Sequence, residues 1–571
     1  MNRKAKRQAA IENHQVPQAL SMAVSLHKSG QFQQAKTLYE KILEVQPNNS
    51  QALNYFGVLQ AQMGEEKKAI RLFSQAVNQE PENYGYLNNL GNIYRKTQQL
   101  DQAIACYQRA LNLNQNNADS YLNLGIVLTE KGMVNEAIAT LQQAIEKNPE
   151  HPRASQALGD LFQTQGNLEQ AIACYINALS LNPNSSELFS SMGMAFFRRG
   201  NLYEAQKAYE QALTINPNST EALSNIGATF YEQGKIDMAE SCYRSVIDLK
   251  PTDAEAQINL AFILKQQGKY PAAINCYQEA LKREPDSTQA MVGLAEIYGE
   301  NAQWNDAIKL YQKLIKQNHK SAPARAQLGV ALREIGEVEQ AIAQFQKAIQ
   351  INPQHIKAYA HLGLALQDVG KITEAEAIFN YSEYVVKYHF SPPEGWASLT
   401  TYNTDLTNYV YQHPTLLKNR PGKPINNGRQ TYEIFNDQTP VMMALKQQIN
   451  VYLQTYFNQC KPNANNSFFR DIPTNWRLSG WAVVLESEGF QNSHIHPESY
   501  CSGVYYIQVP ETVSNNNTGA GYLSFGNLFP QVTVKPEAGL LVLFPSYFWH
   551  STIPFVGGGD RVCISFNVVP V

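Results

Sequence analysis

Small and apolar residues recur every 34 residues over the first two-thirds of the chain. Eleven successive windows fit this period without an insertion, from Val16 to His389. Position 20 of every window is alanine, position 8 is usually glycine, position 24 is usually aromatic, and proline commonly occupies position 32. Small residues let two helices approach closely, a second glycine, which recurs at position 15, ends the first helix, and a proline stops the second. The pattern therefore predicts an array of helix pairs over residues 16–389.

This spacing resembles the tetratricopeptide repeat, and eleven units in one register make the resemblance specific. The resemblance implies an α-solenoid in which each helix pair buries its apolar face mainly against its neighbours. Such a solenoid offers a long concave face to a protein or peptide. We therefore expect a protein or peptide partner for the array.

Position 6 of several windows carries an amide side chain. The residues are Asn89, Asn123, Asn225 and Asn259, with Gln327 in a further window. An amide both donates and accepts hydrogen bonds, so a row of amides can bind an extended peptide backbone without reading its side chains. The arrangement resembles the asparagine ladder of the O-linked N-acetylglucosamine transferases. We expect these asparagines to bind peptide on the concave face; the alternative is that asparagine is simply a short polar residue near a helix start.

The pattern changes after the eleventh window. Residues 390–437 are rich in proline, glycine and asparagine, which predicts a linker with loops. Residues 439–457 have the apolar spacing of a helix and begin with Thr-Pro. From Trp476 onward, short alternating runs separated by turn residues predict strands. The sequence therefore predicts a β-sheet barrel or sandwich as a second domain over residues 438–571.

Three histidines and an arginine stand among these predicted strands. His494 and His496 are two residues apart, and His550 is followed eleven residues later by Arg561. Side chains at i and i+2 of an extended chain share one face, so the first two histidines can converge on one ion. Three imidazoles suit iron, zinc, copper or nickel, and an adjacent arginine suits a carboxylate ligand.

The order HxH, then H, then R resembles the 2-oxoglutarate/Fe(II)-dependent oxygenases, and more narrowly a family that carries HxH where most relatives carry HxD or HxE. The resemblance implies a double-stranded β-helix, or jelly roll, that holds one iron. It matches His494 to the first ligand, His550 to the distal ligand, and Arg561 to the residue that binds the far carboxylate of 2-oxoglutarate. His496 stands where the usual triad has a carboxylate.

That departure leaves the third ligand open between His496, Glu498 and water. Ser502, Tyr505 and Tyr506 follow on the next predicted strand and are candidates for hydrogen bonds to the co-substrate. For the tyrosines, a packing role is the alternative.

The resemblance implies oxidative chemistry with Fe(II), 2-oxoglutarate and O2, in which a C–H bond is hydroxylated and succinate and carbon dioxide are formed. Together with the repeats it favours a polypeptide substrate that the solenoid captures. Three alternatives stay open: a scaffold with an inactive barrel, a small-molecule oxygenase that its repeats localise, and a cupin-like isomerase or zinc protein.

The composition of the chain limits the classes of binding partner that we expect. A net charge of −3 and a pI of about 6.4 give no global basic field that would attract nucleic acid. No apolar run approaches the ~20 residues of a membrane span, and seven cysteines without CxxC do not form a disulfide pattern. The basic start predicts a disordered tail over residues 1–15. We therefore expect a cytoplasmic protein that binds neither nucleic acid nor membrane.

Overall fold

The computed structural model describes residues 3–418, 424–460, 467–526 and 532–571, with side chains from residue 15 onward except at residue 467. Two compact units, Met1–Ala256 and Gln257–Val571, are described in turn.

From Ser50 onward, the first unit consists of paired helices whose first member has 13 residues and whose second has 14; the first helix of the chain is longer, with 26 residues. Its helices are α1 (Arg3–Lys28), α2 (Phe32–Val45), α3 (Ser50–Gln62), α4 (Glu66–Gln79), α5 (Tyr84–Lys96), α6 (Leu100–Leu113), α7 (Ala118–Glu130), α8 (Val134–Lys147), α9 (Pro152–Thr164), α10 (Leu168–Leu181), α11 (Ser186–Arg198), α12 (Leu202–Ile215), α13 (Thr220–Glu232) and α14 (Ile236–Leu249).

The residues that define the repeat pattern also join the two helices of a pair. Gly91 on α5 lies so close to Tyr107 on α6 that a Cβ there would be 2.7 Å from the tyrosine ring. Ala103 and Tyr107 are fully buried. The turn between the two helices of the preceding pair contains Gly64 at a φ of +79°, a conformation that glycine adopts without a steric cost. Small residues therefore set the distance between the helices, as the period predicts.

Helix α1 differs from the sequence prediction. It begins at Arg3, so it includes most of the segment 1–15 that was predicted to be a disordered tail. The segment is rich in alanine, lysine, arginine and glutamine, which have high helix propensity. Residues 1–2 of the predicted tail lie outside the described residues.

The second unit begins within the first helix of a pair and continues the same pattern. Its helices are α15 (Ala254–Gln266), α16 (Tyr270–Arg283), α17 (Thr288–Glu300), α18 (Trp304–Gln317), α19 (Ala322–Glu334), α20 (Val338–Ile351), α21 (Ile356–Asp368), α22 (Ile372–Ile378), α23 (Tyr381–Tyr384), α24 (Leu399–Gln412), α25 (Pro440–Gln459), a 3-10 turn (Ser467–Arg470) and α26 (Glu511–Ser514).

Two antiparallel sheets follow the repeats. Their strands are β1 (Val386–His389), β2 (Leu417–Lys418), β3 (Ile425–Gln430), β4 (Trp476–Gln491), β5 (Cys501–Gln508), β6 (Leu523–Phe525), β7 (Val532–Val534), β8 (Leu540–Pro545), β9 (His550–Thr552) and β10 (Arg561–Pro570). The larger sheet has the order β1-β8-β5-β10-β4-β3-β2, and the smaller has the order β7-β6-β9. All pairs are antiparallel, so the C-terminal region is the strand-rich domain that the alternation predicts.

Two predicted boundaries differ in the structure. Residues 386–389, assigned to the last repeat, form β1 at an edge of the larger sheet. The predicted linker 390–437 contains α24, whose buried stripe includes Leu406 and Val410, and β3, which pairs with β4. Ser398 and Thr401 cap the start of α24 reciprocally. Residues 419–423 of the predicted linker lie outside the described residues.

The last repeat contacts the strand-rich domain through the turn between β8 and β9. Tyr547 stacks on Tyr359 of α21 with ring centroids 5.2 Å apart, and its hydroxyl donates to the carbonyl of Ile378. The Trp549 indole donates to the carbonyl of Ala360 at 3.4 Å. Aromatic packing therefore holds this turn against the helices. None of the described helices has both the length and the hydropathy to cross a membrane.

Candidate metal and co-substrate site

A pair of backbone hydrogen bonds brings the first and the last of the three predicted histidines together. The His494 N–H donates to the His550 carbonyl at 3.0 Å, and the His550 N–H donates to the His494 carbonyl at 3.1 Å. The two residues thus form an isolated antiparallel bridge at the start of β9. Their spacing is therefore set by the backbone.

His496 joins this pair from the same segment. Its backbone N–H donates to the carbonyl of Ser546 at 3.1 Å, which anchors the segment to the end of β8. Its Nε2 lies 3.2 Å from His550 Nε2. One ring nitrogen of each of the three histidines lies within 4.8 Å of the others. The structure thus brings together His494, His496 and His550, as the sequence predicts.

Backbone carbonyls fix the orientation of two of the rings. His494 Nδ1 lies 2.7 Å from the carbonyl oxygen of Asn492, and His550 Nδ1 lies 2.9 Å from that of Phe548. A carbonyl only accepts, so both Nδ1 atoms carry the proton and both Nε2 atoms keep a lone pair. Metal-binding histidines are commonly oriented in this way.

Burial keeps these imidazoles neutral. It lowers the pKa of His494, and the bond to Asn492 opposes that shift in part. Burial, and then the charges of His494 and His496, hold the pKa of His550 well below its usual range. Neutral imidazole is the form that binds a metal ion.

The spacing of the His496 and His550 nitrogen atoms fits one divalent ion. Metal–nitrogen bonds of about 2.1 Å at angles between about 90° and 109° place two ligand nitrogens roughly 3.0–3.4 Å apart. The 3.2 Å between His496 Nε2 and His550 Nε2 falls in this range. The donor set, three imidazoles, suits iron or another transition metal.

Arg561 is a buried cation beside this cluster. Its side chain is 1% exposed, and its Nη2 donates to the Tyr506 hydroxyl at 3.1 Å. Within the described part of the chain, Nε and Nη1 have no hydrogen-bond partner. A buried guanidinium is costly unless an anion and further acceptors satisfy it. The two unsatisfied nitrogens therefore fit an anionic group of a small molecule, such as a carboxylate.

The histidines and Arg561 line a single cavity between the two sheets. Ser502 also lines it, with its hydroxyl 2.7 Å from that of Ser546 and 3.1 Å from Asn567 Oδ1. Tyr506, four residues further along β5, faces the same cavity. Both residues therefore line the cavity, and their co-substrate role stays a prediction.

Tyr505 and Glu498 lie elsewhere. Side chains alternate along a strand, so Tyr505 points to the opposite face of β5, where its hydroxyl donates to Asn403 on α24 at 2.7 Å. The prediction that Tyr505 binds the co-substrate is therefore wrong. Glu498 is exposed, and the described group that could hold a metal ion consists of the three histidines without it.

Several residues that line the cavity were not predicted, among them Cys563, Trp481 and Gln491. Cys563 lies two residues after Arg561 on β10, so strand alternation was a sufficient signal for it. Trp481 faces the cavity because β4 pairs with β10 in the register that places it opposite Ser565. Gln491, at the end of β4, has no signal in the sequence alone, because its position depends on the pairing of β4 with β3, in which it lies opposite Ile425.

The position-6 asparagines are partly buried. In the first unit, Asn89 donates to the side chain of Asn54 at 2.9 Å, so one of its hydrogen bonds is made within the array. Asn123 and Asn225 are half-buried there, and Asn259 is half-buried in the second unit. Their role in peptide binding stays a prediction.

Family models match both parts of the chain. Residues 479–567 match the model described as "Putative 2OG-Fe(II) oxygenase". Repeat models match residues 26–83 and 264–329 ("Tetratricopeptide repeat") and 329–370 ("TPR repeat"). Residues 84–271 match "Cilia and flagella-associated protein 70 C-terminal domain". The chain thus has tetratricopeptide repeats followed by a 2OG-Fe(II) oxygenase domain, and that domain contains the three histidines. No curated protein matches the chain.

Solved structures of low similarity also match. YrrB, described as a TPR protein with an unusual peptide-binding site, is 22% identical over 32% of this chain and 95% of its own, with a TM-score of 0.28. A tetratricopeptide repeat protein from Parabacteroides merdae is 21% identical over 43% of this chain and 98% of its own, with a TM-score of 0.36. Yeast Tom70 is 14% identical over 65% of this chain and 92% of its own, with a TM-score of 0.35.

Proposed function

We propose that this protein is a 2-oxoglutarate- and Fe(II)-dependent dioxygenase that hydroxylates a protein or peptide captured by its repeats. The observation that carries the proposal is Arg561, a buried cation with two unsatisfied nitrogens in the cavity that the three histidines line. A cupin-like metal site gives no reason for such a group. The paired antiparallel sheets support a jelly-roll fold for this domain.

In this proposal His494, His496 and His550 hold the iron. When bound, Fe(II) with 2-oxoglutarate and O2 supplies the oxidation of a C–H bond, and succinate and carbon dioxide are the co-products. The bonds from His494 and His550 to backbone carbonyls keep the ligand nitrogens aimed at one point before the metal arrives. Preorganised ligands avoid a reorganisation cost on binding.

Arg561 and Tyr506 bind the far carboxylate of 2-oxoglutarate. The Tyr506 hydroxyl accepts from Arg561, so its own proton is available to donate to the carboxylate. Phe544 and Phe566 add apolar surface to the cavity wall and exclude water. Low local polarity strengthens the attraction between the guanidinium and the carboxylate.

In this proposal the repeats bind the substrate polypeptide. Repeat arrays of this kind present extended surfaces to protein or peptide ligands, and the position-6 asparagines Asn89, Asn123, Asn225 and Asn259 provide amides for a peptide backbone. All seven cysteines are free thiols, which suits a reducing compartment such as the cytoplasm.

Anaerobic reconstitution of the full chain tests the chemistry. We expect Fe(II) with 2-oxoglutarate to give a visible charge-transfer band, and admission of O2 to give succinate. His550→Ala abolishes both, and Arg561→Ala weakens 2-oxoglutarate binding, by about 10²-fold if it removes a hydrogen-bonded charge pair. His496→Ala decides whether His496 is a direct ligand. His413→Ala is the matched control, since His413 is bound to Asp437 and not to the cavity. A wild type that folds but gives neither band nor succinate contradicts the proposal.

Substrate capture has its own test. A synthetic peptide library is incubated with wild type and with Asn123→Ala/Asn225→Ala, and bound peptides are counted. We expect the double variant to retain fewer peptides while its uncoupled succinate formation is unchanged. Equal retention by both proteins contradicts a role for the asparagines.

A further inference from the structure

The cavity around the three histidines lacks a negative charge of its own. Among the described residues that line it are hydroxyl, amide, thiol and aromatic side chains and one guanidinium, but no aspartate or glutamate. The acidic residue next to Arg561 in sequence, Asp560, is bound to Arg429 at 2.9 Å. Glu486, on β4, is bound to the same arginine at 3.3 Å and to Lys418, also at 3.3 Å. These two carboxylates are therefore already compensated outside the cavity.

The charges of the metal, 2-oxoglutarate and the cavity side chains sum to an excess of one positive charge. A divalent metal on three neutral imidazoles keeps both of its positive charges, and Arg561 is always protonated and adds a third. 2-Oxoglutarate brings two negative charges, so one positive charge is left. A site with a carboxylate in the third ligand position is neutral by the same count. The replacement of that carboxylate by His496 therefore leaves one positive charge in a buried place.

Such a charge is costly where water is excluded. Arg561 is 1% exposed and His550 is 6% exposed. An isolated ion in a place of low polarity is destabilised by several kcal/mol unless a counter-charge accompanies it. Because no lining side chain supplies that charge, it must come from a molecule outside the chain.

From this we infer that the loaded site takes up one additional monoanionic group beside the His494, His496 and His550 cluster. This inference rests on the proposed function, because the count includes the metal and 2-oxoglutarate. Two sources offer the same chemistry: a free small anion such as a halide, or a carboxylate carried by the substrate polypeptide. In either case the neutral His496 makes the group necessary.

The test uses Co(II) as a spectroscopic probe in the full chain, without turnover. Co(II) and then 2-oxoglutarate are added anaerobically, and the visible absorption bands of Co(II) are followed at constant ionic strength. Bromide, azide and formate are then titrated separately. We expect a saturable change in the bands. Stronger binding of bromide and azide identifies a free small anion as the source, and stronger binding of formate identifies a carboxylate.

His496→Asp is the decisive variant, and His496→Gln is its matched control. The aspartate restores the missing negative charge, so we expect the anion to bind at least about tenfold more weakly. The neutral glutamine removes a ring nitrogen but leaves the charge count unchanged, so the anion response persists. Circular dichroism of both variants verifies that they are folded.

The outcomes separate the two hypotheses. If Co(II) or 2-oxoglutarate does not bind, the proposed function fails and the inference fails with it. If both bind but none of the three anions changes the bands, the inference alone is overturned. An undiminished anion response in His496→Asp also overturns it, since the charge of residue 496 would then be irrelevant.

Discussion

The tenth and eleventh repeats follow the same 34-residue pattern and have different neighbours. In the tenth, α19 and α20 have 13 and 14 residues, whereas in the eleventh α21 has 13 and α22 only 7. Both retain the glycine at position 8 and the phenylalanine at position 24. The residues at positions 8 and 24 are thus sufficient to start a helix pair, and the positions after 24 decide whether the array continues.

Position 6 shows the second difference. It is Gln327 in the tenth repeat and His361 in the eleventh, where the ring stacks on Phe345 and lies edge-on to Trp549 with centroids 5.6 Å apart. Trp549 immediately precedes His550, one of the three clustered histidines, in sequence. The face that we expect to hold peptide in other repeats is, in the last one, in contact with the domain that carries the site.

The largest expected effect concerns the position-24 rings. Phe345→Ala and Phe379→Ala each remove a buried ring, and we expect each to lower the free energy of unfolding by about 3–5 kcal/mol in urea titrations. Phe379 also packs against Phe548, whose carbonyl orients His550. We therefore expect Phe379→Ala alone to weaken Co(II) binding, by about tenfold. Equal Co(II) affinity in the two variants would contradict a link between the last repeat and the site.

Acidification should lower the stability of the protein through His361, the position-6 residue of the eleventh repeat, but not through Gln327, its counterpart in the tenth. Burial first, and then the charges of Arg333 and Lys357, lower the pKa of His361 from 6.5 to about 4. Between these values the unfolded chain binds a proton that the folded chain does not, so stability falls as the pH drops from about 6.5 to 4. The loss is at most about 3 kcal/mol.

His361→Gln, which copies the tenth repeat, removes this contribution. Urea unfolding of both proteins at pH 7 and pH 5 measures it as the difference of two differences, so that other titrating groups cancel. If wild type and variant lose the same stability on acidification, His361 is not the responsible group.

The position-8 glycines provide a third comparison. A Cβ at Gly363 would lie 2.2 Å from the ring of Phe379, and one at Gly329 would lie 2.6 Å from Phe345. Alanine normally stabilises a helix relative to glycine, but here we expect Gly363→Ala to cost about 1–3 kcal/mol because a buried ring must move. Gly329→Ala should cost less. Thermal unfolding measures both, and a stabilised Gly363→Ala would show that the ring can yield.

The smallest effect concerns the ion pair that joins the two repeats. Arg333 on α19 binds Asp368 on α21, with its Nη2 3.2 Å from the carboxylate, and both side chains are partly exposed. We expect Asp368→Asn to cost about 0.5 kcal/mol, and less at high salt. Glu334→Gln, which alters a longer contact of 4.0 Å to Arg333, is the control. A cost that is independent of salt would indicate lost packing instead.

The repeats and the cluster of three histidines were predictable because their signals are local. Position-8 glycines and position-20 alanines recur at a fixed distance, and His494 and His496 stand two residues apart on an extended segment. The end of the array also has a signal in the sequence: the eleventh window has Ser382 at position 27 and Lys387 at position 32, where the tenth has Ala348 and Pro353.

The predictions that differ from the structure depend on contacts between distant segments. The face of β5 on which Tyr505 lies follows from which side of the sheet α24 covers, and the sequence alone did not settle that. Trp481 reaches the cavity through the register of β4 on β10. The linker predicted over residues 390–437 differs from the structure because a capped helix lies among its prolines and glycines. The apolar stripe of that helix is completed only by packing against the strands.

The bond from Trp549 to Ala360 has a consequence for biosynthesis. The two residues are 189 positions apart. At about 5–20 residues per second, a ribosome needs roughly 10–40 s to add that length. Earlier repeats are covered as soon as the next pair emerges, but Tyr359 and His361 wait with their aromatic faces open until the C-terminal strands are made. During that interval the nascent chain exposes the surface most prone to premature association. We therefore expect chaperones to bind mainly at the end of the array.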